Sequence, residues 1–152
     1  MGKYYYKKKY YKGSRDKYSV EQTVFDVQTP AGQTTSIDVV GGVNLQGMRK
    51  VKHLTISAVP HGADGWWWVL MYVPQGMSTP GINITSQQPM VEPNQFVMNC
   101  GCLDSEAGPV RISSPVSRNL NSGDKIVLLL YPIGSAITPG ISGVVRYAIT
   151  LN

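Results

Sequence analysis

A chain of 152 residues has room for one domain with a proper core and not for two. Hydrophobic residues make up 42% and charged residues 15%, against a usual charged share of about a quarter. Its surface is then either buried against neighbouring molecules or built from Ser, Thr, Asn and Gln, which the chain also has in quantity. No stretch approaches the roughly 20 apolar residues that span a bilayer, and the charged N-terminus lacks the apolar centre of a secretory signal.

Residues 1–17 read MGKYYYKKKYYKGSRDK. They hold seven of the fourteen Lys and Arg (Lys3, Lys7, Lys8, Lys9, Lys12, Arg15, Lys17) against one acid, Asp16, a net +6. The remaining seven bases face eight acids, so residues 18–152 stand at −1. Like charges with almost nothing to bury predict a disordered arm followed by a folded domain. Tyr4, Tyr5, Tyr6, Tyr10 and Tyr11 interleave with the lysines. Lysines neutralise phosphates, and aromatic rings stack on unpaired bases at about 1–3 kcal/mol each without regard to sequence. Lys3 through Lys17 are therefore expected to bind nucleic acid, preferably single strands. Three other uses of such a run stay open: a nuclear-localisation signal, a contact with an anionic membrane, and a solubilising tail.

Beyond residue 17 the pattern turns to short apolar or alternating runs separated by Gly and Pro. Strands are expected at 18–28, 34–40, 50–59 and 66–73, then at 95–103, 110–113, 125–131 and 144–151. Within 50–59, strict alternation sets Val51, His53 and Thr55 opposite Lys52, Leu54, Ile56 and Ala58. Trp66-Trp67-Trp68 cannot all point inward, so the strand that carries them is covered on both faces or presents one Trp to a partner. The span 74–94 is long for a loop in a compact domain and suits contact with neighbouring subunits. Asn119–Asp124 reads as a tight turn in which Asp bonds nearby amides. Arg118 beside it is by default a surface residue. No window keeps a helical period. The expectation is an all-β protein: a single eight-stranded antiparallel jelly-roll sandwich behind a disordered basic arm.

Signals for chemistry are weak. His53 and His61 stand alone, and the acids Asp64, Glu92, Asp104 and Glu106 are scattered singly. Cys100 and Cys102 match no zinc spacing and are poorly placed to bridge each other. They read as buried or half-buried thiols in a reducing, cytosolic or nuclear setting. The sequon Asn83-Ile84-Thr85 carries no weight without a secretory route. No catalytic residue, metal or cofactor is expected.

Several separate segments resemble one family. Met48-Arg49-Lys50-Val51-Lys52-His53-Leu54-Thr55-Ile56 is similar to an early core strand in capsid proteins of Rep-encoding circular single-stranded DNA viruses. Trp68-Val69-Leu70-Met71-Tyr72-Val73-Pro74-Gln75-Gly76 resembles their next strand. Val91-Glu92-Pro93-Asn94-Gln95-Phe96-Val97 and Pro115-Val116-Ser117-Arg118-Asn119-Leu120-Asn121-Ser122-Gly123-Asp124-Lys125-Ile126-Val127-Leu128 resemble two further motifs, in matching order over roughly 45–131. The resemblance implies a shell domain over 18–152 that self-assembles into a T=1 icosahedral homo-oligomer. It implies about sixty copies, a packaged single-stranded DNA genome, a virion location and a nuclear assembly stage, with no membrane required. The arm departs from the family, whose arms are commonly longer and arginine-rich.

Two rival classes make different expectations. A non-viral single-stranded nucleic-acid-binding β-barrel module would carry bases and aromatics on its own face, where only Arg49, Lys50 and Lys52 cluster in sequence. A lectin-like sandwich would expose Trp66–Trp68 as a sugar platform.

Overall fold

The computed structural model describes residues 17–30, 32–43, 47–79, 84–85, 88–89, 96–134 and 138–151. The base- and tyrosine-rich segment before Lys17 lies outside them. The strands are β1 (Lys17–Gln28), β2 (Thr35–Val40), β3 (Arg49–His61), β4 (Gly65–Val73), β5 (Ile84–Thr85) and β6 (Gln88–Pro89). They continue as β7 (Val97–Asp104), β8 (Val110–Ser114), β9 (Arg118–Leu120), β10 (Lys125–Ile133) and β11 (Gly140–Leu151). Among the described residues one 3-10 turn, at Ser105–Ala107, interrupts them, capped by the Asp104 carboxylate, which accepts from the Glu106 amide at 2.9 Å. The protein is all-β and antiparallel throughout.

Two sheets make the body. One is five-stranded, ordered β1-β11-β3-β8 with β9 also paired to β3; the other is four-stranded, ordered β2-β10-β4-β7. A two-residue ladder, β5 with β6, stands apart. Each of the eight expected strands is present. The count of eight is exceeded because Arg118–Leu120 pairs as a separate segment, and because part of the expected 74–94 loop forms the β5–β6 ladder. The rest of that loop is largely outside the described residues.

The pairing is nested: β1 with β11, β2 with β10, β3 with β8, and β4 with β7. Two further ladders, β3 with β11 and β4 with β10, join these pairs into sheets. β11 begins at Gly140, earlier than expected, because glycine there marks close packing and not a loop. A Cβ on Gly143 would lie 2.8 Å from the Phe25 ring and also collide with the Ser57 carbonyl. Pro132 of β10 lies past the last β2 partner, where one side of the strand is unpaired and a missing N–H does no harm.

The core lies between the sheets, with Val51, Leu54, Trp66, Leu70, Leu128 and Ile141 fully buried. A second apolar cluster covers the other face of β4 and β10, where Val69, Met71, Val73, Val127 and Leu129 are buried. Burial on both faces explains why these two strands read as continuous apolar runs instead of alternating. It also answers the tryptophan triplet. Trp66 and Trp68 enter the inter-sheet core and Trp67 is half-buried on the opposite face, so no three-ring platform is exposed.

Two expectations need correction. The alternation in β3 breaks at His53, whose φ is +56°, and the β3–β11 register shifts there. This bulge puts Val51 and Leu54 on the same side, three residues apart, and separates Leu54 from Lys52, with which simple alternation had grouped it. Cys100 and Cys102 are exposed and free instead of buried or half-buried. They belong to β7, an edge strand, and pair with Val69 and Trp67.

Candidate nucleic-acid interface

Of the residues expected to bind nucleic acid, Lys3, Tyr4, Tyr5, Tyr6, Lys7, Lys8, Lys9, Tyr10, Tyr11, Lys12 and Arg15 lie outside the described residues. Lys17 is described. It is exposed, opens β1 and pairs with Leu151, so the folded domain starts one residue earlier than the charge pattern suggests. The arm therefore leaves from the corner of the five-stranded sheet where β1 begins and β11 ends.

That corner is basic in its own right. Tyr18 pairs with Thr150, and the Lys52 ammonium sits 4.0 Å from the centre of the Tyr18 ring. Thr150 Oγ1 accepts a hydrogen bond from the Lys50 amide at 2.7 Å, tying the start of β3 to the end of β11. Arg49 reaches the Gly41 carbonyl at 3.4 Å. β9 lies on the other side of β3, pairing Asn119 with Lys50 and Arg118 with Val51. Lys17, Arg49, Lys50, Lys52 and Arg118 thus gather at one end of the sheet. Lys125, by contrast, is spent on Asp38 at 3.4 Å, the one ion pair among the described residues.

The Asn119–Asp124 turn fixes the far side of this corner. Asp124 is 4% exposed. Its carboxylate accepts from the Tyr72 hydroxyl at 2.6 Å, the Asn121 amide at 2.8 Å and the Gln75 amide at 3.0 Å. Burial works against its ionised form, yet these hydrogen bonds outweigh it and hold the carboxyl below the usual aspartate value. The same pair acts in reverse on Tyr72, whose hydroxyl is pushed up by burial, by its bond to Asp124 and by the charge of Asp124. The proton stays on the tyrosine and the charge on the aspartate. Gly123 completes the turn at φ +80°, donating its amide to the Val43 carbonyl at 3.2 Å.

Arg118 lies over the Tyr72 ring at 4.1 Å. A recess of about 420 Å³ opens beside it, lined by Lys50, Tyr72, Ser117, Arg118 and Asn119. Local spacing could not have revealed this meeting, because Lys50, Tyr72 and Arg118 come from three different strands. The Asp-bonded turn was legible; the stacked arginine next to it was not.

A second hollow, of about 580 Å³, lies along the five-stranded sheet beside Gly143. Its walls are mostly apolar and include Val24, Val59, Val110 and Val144. Val24 is 68% exposed, and Val20, two residues before it on β1, is 77% exposed. Among the described residues no group of three or more His, Cys, Asp or Glu is placed to hold a metal. No family model matches the chain, and no curated protein matches it.

Proposed function

We propose that this is a viral coat protein: a jelly-roll shell subunit that assembles with copies of itself and packages single-stranded DNA through its basic N-terminal arm. The observation that carries the proposal is the nested strand pairing with a +6 segment attached at its outermost strand. Counting only the eight long strands, the first pairs with the eighth, the second with the seventh, the third with the sixth and the fourth with the fifth. That is the order obtained by folding one long antiparallel hairpin and rolling it into two facing sheets, which supports a jelly roll. The family resemblance over 45–131 supports the shell role in particular.

The division of charge fits the same reading. The near-neutral domain is free to pack against its neighbours, and the exposed valines of β1 supply apolar surface for such packing. With about sixty copies, the arms would bring roughly 360 positive charges to a confined strand.

Light scattering or negative-stain microscopy of the purified protein tests the proposal. About sixty copies of a 16.6 kDa chain give a closed particle of about 1 MDa. A monomer or dimer under all conditions would overturn the coat-protein reading and favour a small single-strand-binding module. Removing residues 1–17 is expected to leave the fold intact while abolishing most nucleic-acid binding and its salt dependence. Normal packaging by the truncated protein would refute the role given to the arm.

A further inference from the structure

We infer that the recess between Lys50, Ser117, Arg118 and Asn119 seats a phosphate group of single-stranded nucleic acid, so that the folded domain continues the contact the arm begins. The inference rests on the reading of the chain as a nucleic-acid-binding coat protein and assigns that partner a second, structured site.

The recess has the chemistry of an anion seat. Two half-buried cations, Lys50 and Arg118, line it, and among the described residues neither forms an ion pair. Ser117 and Asn119, which carry uncharged hydrogen-bonding side chains, line it as well. Its volume of about 420 Å³ exceeds what a lone phosphate needs, which leaves room for the attached sugar.

Arg118 is held ready. Its guanidinium rests on the Tyr72 ring, the Tyr72 hydroxyl is bonded to Asp124, and Asp124 is bonded to two backbone amides. An arginine fixed in this way loses less freedom on binding, and its planar fork suits phosphate oxygens. Asp124 forms no ion pair with it, and the Asp124 carboxylate takes its three hydrogen bonds from other donors. Arg118 also covers one face of the Tyr72 ring, and Phe96 packs near it at 6.5 Å between centroids. The tyrosine is therefore no platform for a stacked base, and recognition here falls to phosphate.

Position favours the strand that the arm binds. Lys50 is linked to Thr150 and Thr150 is paired with Tyr18, so two strand spacings, roughly 10 Å, separate the recess from the point where the arm departs. One strand can touch both. A sulfated glycan would offer similar anions but has no such link to the arm, and it enters as an outcome of the test.

The test measures fluorescence-anisotropy binding of labelled oligo(dT) to the full-length chain over a range of salt, with circular dichroism to check folding. Lys50→Gln with Arg118→Gln is expected to lower affinity about tenfold at low salt and reduce the slope of log K against log salt by about 0.7, the value for one phosphate contact on a single strand. Arg118→Lys keeps the charge and is expected to lose affinity about threefold with little change in slope. If the double variant does not fold, Ser117→Ala with Asn119→Ala replaces it, with a several-fold loss at constant slope expected and no loss counting against the site. A control variant changing Lys7, Lys8 and Lys9 to Gln separates the two proposals. Loss of binding in the arm variant with none in the recess variant overturns the recess and leaves the arm's role standing; no loss in either overturns both. Loss of heparin binding alone, with oligo(dT) unaffected, overturns the inference in favour of a sulfated glycan.

Discussion

Replacing Asp124 with alanine removes the acceptor on which the turn before β10 and the end of β4 converge. Three donors lose their partner: the Tyr72 hydroxyl, the Asn121 amide and the Gln75 amide. A buried donor left unsatisfied costs about 1–3 kcal/mol. Gln75 and Asn121 are exposed, so their amides can turn to water and are discounted. The remaining Tyr72 hydroxyl sets the expected cost at about 1–3 kcal/mol, a sizeable share of the roughly 5–15 kcal/mol that holds a domain together. Urea denaturation at fixed protein concentration measures it, as a fall in midpoint with the slope unchanged. The pH dependence supplies a second check. The folded state holds this carboxyl below its ordinary value, so its stabilisation is complete above the unfolded aspartate pKa of about 3.9 and is lost as pH falls through the lower folded value. The gap between the wild-type chain and Asp124→Asn is therefore expected to be widest near neutrality and to close in acid. A cost below about 1 kcal/mol for Asp124→Ala, or a gap that does not change with pH, would refute the account of the turn.

His53 sits at φ +56° in the β3 bulge, and the strain is relieved by glycine, so His53→Gly is expected to stabilise the fold by up to about 1 kcal/mol in the same urea assay. Gly101→Ala places a methyl 2.9 Å from the Trp68 indole nitrogen, and a loss of about 1–3 kcal/mol with a shift in tryptophan emission is expected from overpacking. Cys102 has its thiol pushed up by desolvation and by the nearby Asp104 carboxylate. Alkylation by iodoacetamide at pH 8 is expected to be slower there than for a small model thiol, as read by peptide mass mapping.

Much of the candidate site could be read locally, and the part that could not has a definite cause. The arm's lysines and tyrosines are contiguous, so their charge and stacking capacity need no fold to be recognised. The Asn119–Asp124 turn was equally legible, because Asn, Gly and Asp act on backbone within a few residues of themselves. Tyr72 and Arg118 stand 46 positions apart, and their contact exists only because β9 pairs with β3 at the end of the sandwich where β4 finishes. Lys50 joins them through the same ladder. Strand alternation failed at His53 for a related reason: a bulge is set by how β3 must pair with β11, and the residue itself carries no glycine to announce it.

By itself, then, the chain of residues determined the all-β class, the approximate positions of the eight long strands and the concentration of positive charge before residue 18. These follow from period-two hydrophobicity, from turn residues and from composition, which act over short distances. Only the tertiary structure decided that β4 and β10 are covered on both faces, that two of three adjacent tryptophans enter one core, and that cysteines on an edge strand are exposed. It also brought Lys50, Tyr72 and Arg118 around one recess. Which face of a strand is covered, and which distant side chains share a corner, depend on pairing between segments that are far apart in sequence, and no local pattern encodes that register.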